Sequence, residues 1–320
     1  MSNTTFISIL TPIYNVAPYM ERCARSLFEQ TFPDLEFVFV DDCSPDESMK
    51  ILQRVIADYP SVVGKVHIIR HERNRGLAVA RNTAVAAANG EFIVHVDSDD
   101  WIESNAVELL VQKQIETGAD IVSCDAIAHF SDRTEIYAEP SYDSLEAMIR
   151  GTMRLTIEHV IWRRLIRRSL YTDNHIACVA GVNIGEDHYT LPRLVFFAKS
   201  FATVDKPLWR YNCTNESSYT RASNGLNLRK YINDRDACLI LSQFFAEHDK
   251  RYCEELEQIR KEYQYRSRNC ALRCGDHEGY RTISKDLNLS SLDYCYMRPY
   301  TILCKIIRKL TGRRFGPLNY

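Results

Sequence analysis

The sequence is poor in the residues that mark linkers, repeats and membrane spans. Its 320 residues include only 12 Gly and 10 Pro, and an apolar run such as Ala84 to Ala88 falls far short of the ~20 residues that a transmembrane helix needs. The chain is 45% hydrophobic and 26% charged, with both signs interspersed. These proportions exclude a disordered or fibrous chain and predict a globular protein with a substantial core.

Two further patterns are absent. None of the eleven cysteines lies in a CxxC pair, and the nearest two, Cys270 and Cys274, are spaced like one helical turn. This spacing favours reduced, partly buried thiols over a zinc site or a disulfide framework. Residues 1–6 are polar and lack a basic patch followed by an apolar stretch, so we expect no signal peptide and a cytoplasmic protein.

The first half of the chain alternates short β-branched or aromatic runs with longer helical patterns. The predicted strands are 6–10, 36–40, 66–69, 92–96 and 121–124, and the predicted helices are 18–29, 46–58, 77–88 and 104–116. Such alternation is typical of an α/β fold with a doubly wound, mostly parallel, Rossmann-like sheet. Past residue 130 the pattern loosens, and residues 227–274 have the pattern of a helical C-terminal region, with a boundary near residue 222.

Polar residues follow three of the predicted strands. They are Thr11 to Asn15 after the first, Asp41 to Ser44 after the second and Asp97 to Asp100 after the fourth. Because the carboxyl ends of parallel strands share one edge of a sheet, and ligands of such sheets bind there, we expect the three clusters to form one site. The first cluster contains no glycine-rich turn, which argues against a dinucleotide-dependent oxidoreductase.

The third cluster carries three carboxylates, those of Asp97, Asp99 and Asp100. Two unit charges ~4 Å apart repel by ~4 kcal/mol at an effective dielectric of about 20, so a proton or a cation must offset them in a cleft. Carboxylate oxygens are ligands for Mg²⁺ and Mn²⁺, which predicts a metal site. In the alternative interpretation, Asp99 or Asp100 caps the next helix, with Glu103 in its first turn.

Five motifs, in this order and spacing, resemble the GT-A fold glycosyltransferases of family 2. They are TPIYN at residue 11, VDDCS at 40, NRGLAVARN at 74, NGEFIVHVDSDDW at 89 and GED at 185. The resemblance covers residues 5–125 well and continues more loosely to about residue 220. It implies a GT-A domain at 1–222, with a nucleotide-binding half (5–125) and an acceptor half (126–222), followed by a helical region at 223–320.

The resemblance implies roles for matching positions in the nucleotide-binding half. Asp41 would accept a hydrogen bond from the ring N–H of a uracil, and Asp97 would approach the ribose. Asp99 would bind the metal that bridges the two phosphates, with Asp97 and Asp100 in support. Further residues expected near the nucleobase or the diphosphate are Thr11, Pro12, Tyr14, Arg75 and Arg81. The alternative for Asp41 and Asp42 is a solvated strand end, and for the two arginines it is a surface or structural role.

Transfer also needs a base for the acceptor hydroxyl, which is worth roughly 10²–10⁴-fold in rate. The resemblance implies that the acidic pair Glu186-Asp187 supplies it; we assign Asp187, with Glu186 as the alternative base. In a third interpretation the pair begins a helix and has no catalytic part. His188 and Tyr189 follow the pair where most family members carry Trp and Phe, so the acceptor pocket departs from the family pattern. We expect His188 to be structural rather than a second base.

Three later segments have two interpretations each. Residues 162–168 resemble a segment that lines the acceptor side, although a buried Trp162 explains them equally well. Trp209 to Asn212, with Ser217 and Ser218, resembles a loop that closes over the diphosphate, with a plain surface loop as the alternative. The amphipathic stretch 298–314 lies in a tail with six Lys or Arg and no acid. It either contacts an anionic membrane surface or packs on the protein with its basic face in solvent.

The resemblance as a whole implies an inverting, metal-dependent glycosyltransferase of the hexosyl- or N-acetylhexosaminyltransferase class. We expect it to use Mn²⁺ or Mg²⁺ and to move one sugar from a nucleotide sugar, a UDP-sugar by preference. The acceptor would be a glycan or a lipid-linked molecule in surface polysaccharide biosynthesis, in the cytoplasm or on the inner face of the membrane. Gln-X-X-Arg-Trp and membrane spans are absent, which favours single addition, and we expect no nucleic-acid partner. The alternative is a nucleotide-sugar binding module without turnover.

Overall fold

The computed structural model describes residues 5–156, 160–183, 185–215, 218, 228–274 and 276–286. The chain forms two compact units, which divide between Asn215 and Glu216. The predicted boundary near residue 222 and the predicted membrane-contact stretch 298–314 both lie outside the described residues, so they stay predictions.

Four strands and three helices alternate in the first part of the chain. They are β1 (Ile7–Ile13), α1 (Ala17–Phe28), β2 (Leu35–Asp41), α2 (Ser48–Asp58), β3 (Val66–Arg70), α3 (Leu77–Ala87) and β4 (Phe92–His95), with a 3-10 helix at Pro60–Lys65. The strands lie in the order β3-β2-β1-β4, and each neighbouring pair is parallel. These elements confirm the sequence prediction apart from small differences at their ends.

The remaining strands extend the same sheet in mixed directions. The elements are β5 (Trp101–Ile102), α4 (Ala106–Thr117), β6 (Ile121–His129), β7 (Thr134–Tyr137), α5 (Leu145–Met153), β8 (Arg164–Arg167), α6 (Ser169–Thr172), α7 (Glu186–Phe197) and β9 (Phe201–Asn212). The strand order continues β4-β8-β6-β9-β5, and β7 also pairs with β6. β8 is antiparallel to both β4 and β6, whereas β6 and β9 are parallel. The antiparallel β8 thus joins the second half of the sheet to the parallel first half.

A dense apolar core holds the parallel half of the sheet in place. β1 and β2 are buried at every residue, as expected for central parallel strands packed on both faces. α1 buries Met20, Cys23 and Leu27, whose spacing of three and four residues places them on one stripe of the helix. Phe28 meets Phe37 of β2 edge to face, with ring centroids 5.1 Å apart. This packing fixes where β1 and β2 end, and hence where their polar residues lie.

Trp209 to Asn212 do not form the loop that we predicted, because they are the last residues of β9. Trp209 is fully buried, and β9 pairs at this point with β5, where Trp101 lies opposite Arg210. On its other side the same stretch pairs with β6, where Ala126 lies opposite Trp209. The prediction was wrong because both partner strands are distant in sequence, and the two-residue β5 is one that no local pattern indicates. Ser217 lies outside the described residues.

The C-terminal unit is helical, as predicted. Its described helices are α8 (Leu228–His248), α9 (Cys253–Cys274) and α10 (His277–Asp286), with a 3-10 helix at Lys250–Tyr252. The predicted helical stretch 227–274 is interrupted at Asp249, whose carboxylate accepts the Arg251 backbone N–H at 3.1 Å. Buried apolar residues include Leu241, Phe245, Tyr252, Leu256 and Ile259. Among the described residues, every helix is too short or too polar to span a bilayer.

A buried ion cluster connects the loop after β7 to the start of β8. Glu139 Oε2 lies 2.7 Å from Arg163 Nη2, and Glu139 Oε1 lies 2.6 Å from Arg164 Nη2. All three side chains are fully buried. Arg163 Nη1 also donates to the Tyr137 carbonyl at 2.7 Å. A single carboxylate therefore holds two guanidinium groups inside the first unit.

Glu139→Ala should destabilise the protein by about 3–5 kcal/mol, because it leaves two buried guanidinium groups without this counter-ion. The control is Glu135→Ala, since Glu135 pairs with Arg133 in solvent, where an ion pair contributes about 0–1 kcal/mol. Urea unfolding of both variants measures the difference in free energy. Equal losses would show that the buried cluster does not stabilise the fold.

Candidate active site

The carboxyl ends of β1, β2 and β4 lie side by side. Ile13 pairs with Asp41 in the register between β1 and β2, and the Val96 N–H, just beyond β4, donates to the Leu10 carbonyl at 3.0 Å. The three polar clusters therefore share one edge of the sheet, as the alternation of strands and helices predicted.

The turns after β1 and β2 are fastened to each other by side chains that the sequence analysis missed. Ser44 Oγ accepts the Asn15 N–H at 2.8 Å, and Asp46 Oδ2 accepts the Ala17 N–H at 2.7 Å. The Ser44 hydroxyl in turn donates to Asp46 Oδ1 at 2.7 Å. These bonds hold the two turns in one fixed arrangement around the mouth of the site.

The residues predicted to surround the nucleobase lie at or next to the ends of β1 and β2: Thr11, Pro12, Tyr14 and Asp41. Thr11 Oγ1 and Asp41 Oδ2 are buried oxygens without a hydrogen-bond partner among the described residues. Asp41 Oδ1 accepts the Ser44 N–H at 2.7 Å. Arg70 Nε lies 3.1 Å from Oδ2 as an ion pair but is not aligned to donate. Asp41 thus keeps an acceptor position of the kind that a nucleobase N–H needs.

Asp42 is not a solvated strand end, because it is buried under the loop before α3. Its Oδ1 accepts the Arg75 backbone N–H at 2.9 Å and lies 2.6 Å from His71 Nδ1. Its Oδ2 accepts the Gly76 N–H at 2.8 Å. Asp42 therefore fixes this loop, on which the Arg75 side chain is exposed. The nucleotide contact of Arg75 stays a prediction.

The three aspartates after β4 do not form one cluster. The described part of the chain contains no group of three His, Cys, Asp or Glu side chains placed to hold a metal ion. Asp100 is buried, and its Oδ1 accepts the Asn212 backbone N–H at 2.7 Å. Asp100 therefore fastens the end of β9, and its supporting place beside the metal stays a prediction. The alternative of a helix cap is wrong, since α4 has Asn105 as its N-cap.

Asp97 and Asp99 keep the chemistry that a divalent cation needs. Both side chains are partly exposed. Burial and the charge of Asp97 raise the pKa of Asp99 to about 6, and a cation would relieve this repulsion. Asp99 Oδ2 accepts the Asn215 side-chain amide at 2.8 Å, an orienting contact that the sequence analysis missed. Two carboxylates fit Mg²⁺ or Mn²⁺, and they leave further ligand positions to phosphate oxygens and water.

Arg81, which we predicted near the base or the diphosphate, has a side chain that is only 3% exposed. Its Nη2 lies 3.1 Å from Asp97 Oδ1 and 4.0 Å from Asp187 Oδ1, and its Nε lies 3.3 Å from Glu186 Oε1. Burial lowers the pKa of the guanidinium, but the three carboxylates more than offset this and raise it overall. These contacts favour the structural role that stood as the alternative for Arg81, while its contact with the base or the diphosphate stays a prediction.

Glu186 and Asp187 begin α7 directly after Gly185, with side chains that are 7% and 11% exposed. Burial raises the pKa of both, and the charge of Asp187 raises that of Glu186 further, while Arg81 opposes the shift in each. Asp187 Oδ2 also accepts the Ile161 N–H at 3.3 Å, which stabilises its ionised form. The pair is therefore two buried carboxyl groups held beside one guanidinium.

The residues expected near the acceptor are buried. His188 Nε2 lies 3.0 Å from a main-chain carbonyl of α5, which supports its structural interpretation. The Tyr189 hydroxyl accepts the Val179 N–H at 2.8 Å. Trp162 is 6% exposed and stacks on Tyr211, with ring centroids 5.1 Å apart. The buried-Trp interpretation thus fits residues 162–168 better than a lining of the acceptor side.

The sequence pattern of glycosyl transferase family 2 matches residues 8–183. With the fold and the acidic site, this match identifies the class of protein. The chain belongs to glycosyl transferase family 2, a family of glycosyltransferase enzymes, as its motifs predicted.

The chain is 32% identical over 189 residues to the uncharacterized glycosyltransferase EpsJ of Bacillus subtilis. This alignment covers 57% of the chain and 53% of EpsJ. The chain thus spans about half the length of this relative.

Solved structures share the fold along most of the chain. Staphylococcus aureus TarS 1–349 in complex with UDP-GlcNAc has a TM-score of 0.59 and 19% identity, covering 88% of this chain and 91% of TarS. The mannosyltransferase PcManGT from Pyrobaculum calidifontis, in complex with GDP-Man and Mn²⁺, has a TM-score of 0.57 and 16% identity, covering 98% and 89%. At these identities the likeness concerns the fold alone, and it confirms the predicted GT-A class.

Glu186→Gln should stabilise the protein at neutral pH. A carboxyl whose pKa is raised on folding stabilises the protein below its unfolded pKa of about 4.3, and this contribution is lost as pH rises through the folded pKa. As the pH rises from about 5 to about 8, we therefore expect the unfolding free energy of the wild type to fall by about 1–3 kcal/mol more than that of the variant. Denaturant unfolding across this range measures it, with exposed Glu135→Gln as control. A variant less stable than the wild type at pH 8 would contradict the cost assigned to this buried charge.

Proposed function

We propose that this chain is an inverting, metal-dependent glycosyltransferase that moves one sugar from a nucleotide sugar to a glycan or lipid-linked acceptor in surface polysaccharide biosynthesis. One observation carries the proposal: Asp97 and the pair Glu186-Asp187 contact the same buried guanidinium of Arg81. A donor-side carboxylate and a base therefore lie within reach of one side chain, which suits a transfer between two bound sugars. The acceptor class and a cytoplasmic or peripheral membrane location rest on the family resemblance alone.

The ends of β1 and β2 bind the nucleoside of the donor. Asp41 offers Oδ2, which has an ion pair with Arg70 but no hydrogen bond, to a ring N–H such as N3–H of uracil. Thr11 Oγ1 is a second oxygen at the same edge without a hydrogen-bond partner among the described residues. Tyr14, which directly follows β1, is exposed and available for contact with the nucleobase. The TarS complex with UDP-GlcNAc supports a UDP-sugar as the donor.

The edge of the sheet is acidic where the diphosphate must bind, and this favours a metal-bound donor. Asp97 and Asp99 would repel a bare diphosphate, whereas a divalent ion held by Asp99 with Asp97 attracts it. When bound, such an ion stabilises the negative charge that develops on the leaving diphosphate. The PcManGT complex supports Mn²⁺, and Mg²⁺ has the same preference for oxygen ligands.

Asp187 takes the proton of the acceptor hydroxyl. We infer that the proton shared by the acidic pair resides on Glu186, because the Ile161 N–H and the charge of Arg164 stabilise Asp187 as a carboxylate. Asp187 Oδ1 is buried without a hydrogen-bond partner among the described residues, so it has room for a proton. The acceptor oxygen bonds to the anomeric carbon while the bond from that carbon to the diphosphate breaks. Attack on the side opposite the leaving group inverts the anomeric centre.

Asp99→Ala should abolish the gain in UDP affinity that Mn²⁺ gives to the wild type. We expect a gain of at least about tenfold in the wild type, or ~1.4 kcal/mol, and a ratio of about one in the variant. Calorimetric titration of UDP with and without Mn²⁺ measures both. Asp132→Ala is the control, since Asp132 is exposed in the loop before β7. An undiminished Mn²⁺ effect in Asp99→Ala would remove the metal from this residue.

Asp187→Asn should reduce transfer by about 10²-fold or more with UDP affinity nearly unchanged, because an amide cannot take up the proton. UDP release from a panel of UDP-sugars in the presence of Mn²⁺ provides the assay, first with the wild type. If Asp187→Asn keeps transfer and Glu186→Gln loses it, the base is Glu186. If the wild type binds UDP but turns over none of the donors, the chain is a binding module.

A further inference from the structure

Helix α3 connects the donor side of the site to the acidic pair through one arginine. Arg81 Nη2 contacts Asp97 Oδ1 at 3.1 Å, and the same guanidinium reaches Glu186 at 3.3 Å and Asp187 at 4.0 Å. The two groups of acids come from separate segments, the end of β4 and the start of α7. The position of one group relative to the other therefore depends on a side chain that belongs to neither segment.

Two further contacts tie α3 to the segment that precedes α7. The Asn82 side-chain amide donates to the Cys178 carbonyl and its Oδ1 accepts the Cys178 N–H, both at 2.8 Å. Asn183 Oδ1 accepts the Ala78 N–H in the first turn of α3 at 3.1 Å. A Cβ placed on Gly76 would lie 2.4 Å from the Asn183 side chain, so the approach is close. These three attachments hold α3 and the acidic pair in place relative to each other.

Stability alone gives no reason for this arrangement. One guanidinium faces three carboxylates in a setting where its own side chain is 3% exposed and the acids of α7 are 7% and 11% exposed. Buried ion clusters are often less stable than apolar side chains of the same volume, and an excess of one charge adds to their cost. Costly buried charge of this kind is typical of functional sites.

We propose that Arg81 is a positioning residue, which sets the place of the Glu186-Asp187 pair relative to the donor-side carboxylate Asp97. This inference rests on the proposed function. Arg81 acts through the acids rather than on the reacting atoms, so its loss should leave donor binding in place and misalign the base. A misplacement of about 1 Å costs about 10²-fold in rate.

The test compares Arg81→Ala, Arg81→Lys and the wild type in steady-state transfer. For Arg81→Ala we expect kcat to fall by about 10²-fold, with donor KM and UDP affinity within about threefold of the wild type. Arg81→Lys keeps the charge but not the forked geometry, so it should recover only part of kcat. Added guanidinium chloride should raise the kcat of Arg81→Ala, whereas sodium chloride should not.

The control is Arg193→Ala, which removes a second buried arginine from the same region. Arg193 donates to the main-chain carbonyls of Tyr189 and Ala177 and has no carboxylate among its hydrogen-bond partners in the described residues. It should lose stability but keep kcat per folded molecule and show no guanidinium effect. Two results would overturn the proposal: unchanged kcat in Arg81→Ala, or a loss of UDP affinity as large as the loss of transfer, which would make Arg81 a nucleotide ligand.

A double-mutant cycle tests the link to the acids independently of turnover. Arg81→Ala should lower the unfolding midpoint by about 6–12 °C in the wild-type background and by clearly less in Glu186→Gln/Asp187→Asn. Equal shifts in the two backgrounds would overturn the proposal. If the wild type transfers no sugar, the proposed function fails on that result, while the cycle still decides whether Arg81 holds the pair.

Discussion

An excess of buried carboxyl groups at the carboxyl edge of the sheet is the constraint on which the rest of the site depends. Burial raises the pKa of five carboxyls there, those of Asp97, Asp99, Asp100, Glu186 and Asp187. Arg81 offsets part of their negative charge by contact with three of them. What remains near Asp99 repels an anionic ligand. The proposed metal dependence therefore rests on charge balance as well as on the motif, because a cation would offset this repulsion when a diphosphate binds.

The sequence predicted the parallel half of the fold well, for a physical reason. Alternating strands and helices with short, right-handed connections leave few possible topologies, and parallel strands bring their carboxyl ends to one edge. Local patterns were therefore sufficient to place Asp41 and Asp97 near each other. They were also sufficient to predict α1, because its apolar residues lie on the one stripe of the helix that is buried. Each of these features depends on contacts that are local or are imposed by the sheet.

The features that the sequence could not predict depend on partners far along the chain. Arg81 is a charged residue within a helix, and such residues are usually exposed. The acids of α7, which it contacts, explain its burial. Arg163 and Arg164 would be assigned to the surface on charge, yet Glu139 holds both inside. Asp100 lies in an acidic motif, but its carboxylate accepts a hydrogen bond from the backbone N–H of Asn212. In each case a polar group is buried against specific partners that lie far along the chain, and the periodicity of the sequence carries no record of those partners.

The opposing effects on the acidic pair suit the proposed role of Asp187 as a base near neutral pH. Burial alone would leave both acids protonated and unable to accept a proton. The guanidinium of Arg81 and the Ile161 N–H lower the pKa of Asp187 and so offset part of the effect of burial. The repulsion between the two acids instead raises the pKa of Glu186. A base is most effective when its pKa lies near the working pH, so neither full burial nor full solvation would suit it. In the proposed mechanism, the three-way contact of Arg81 joins two requirements, since the charge that aligns the base also tunes its pKa.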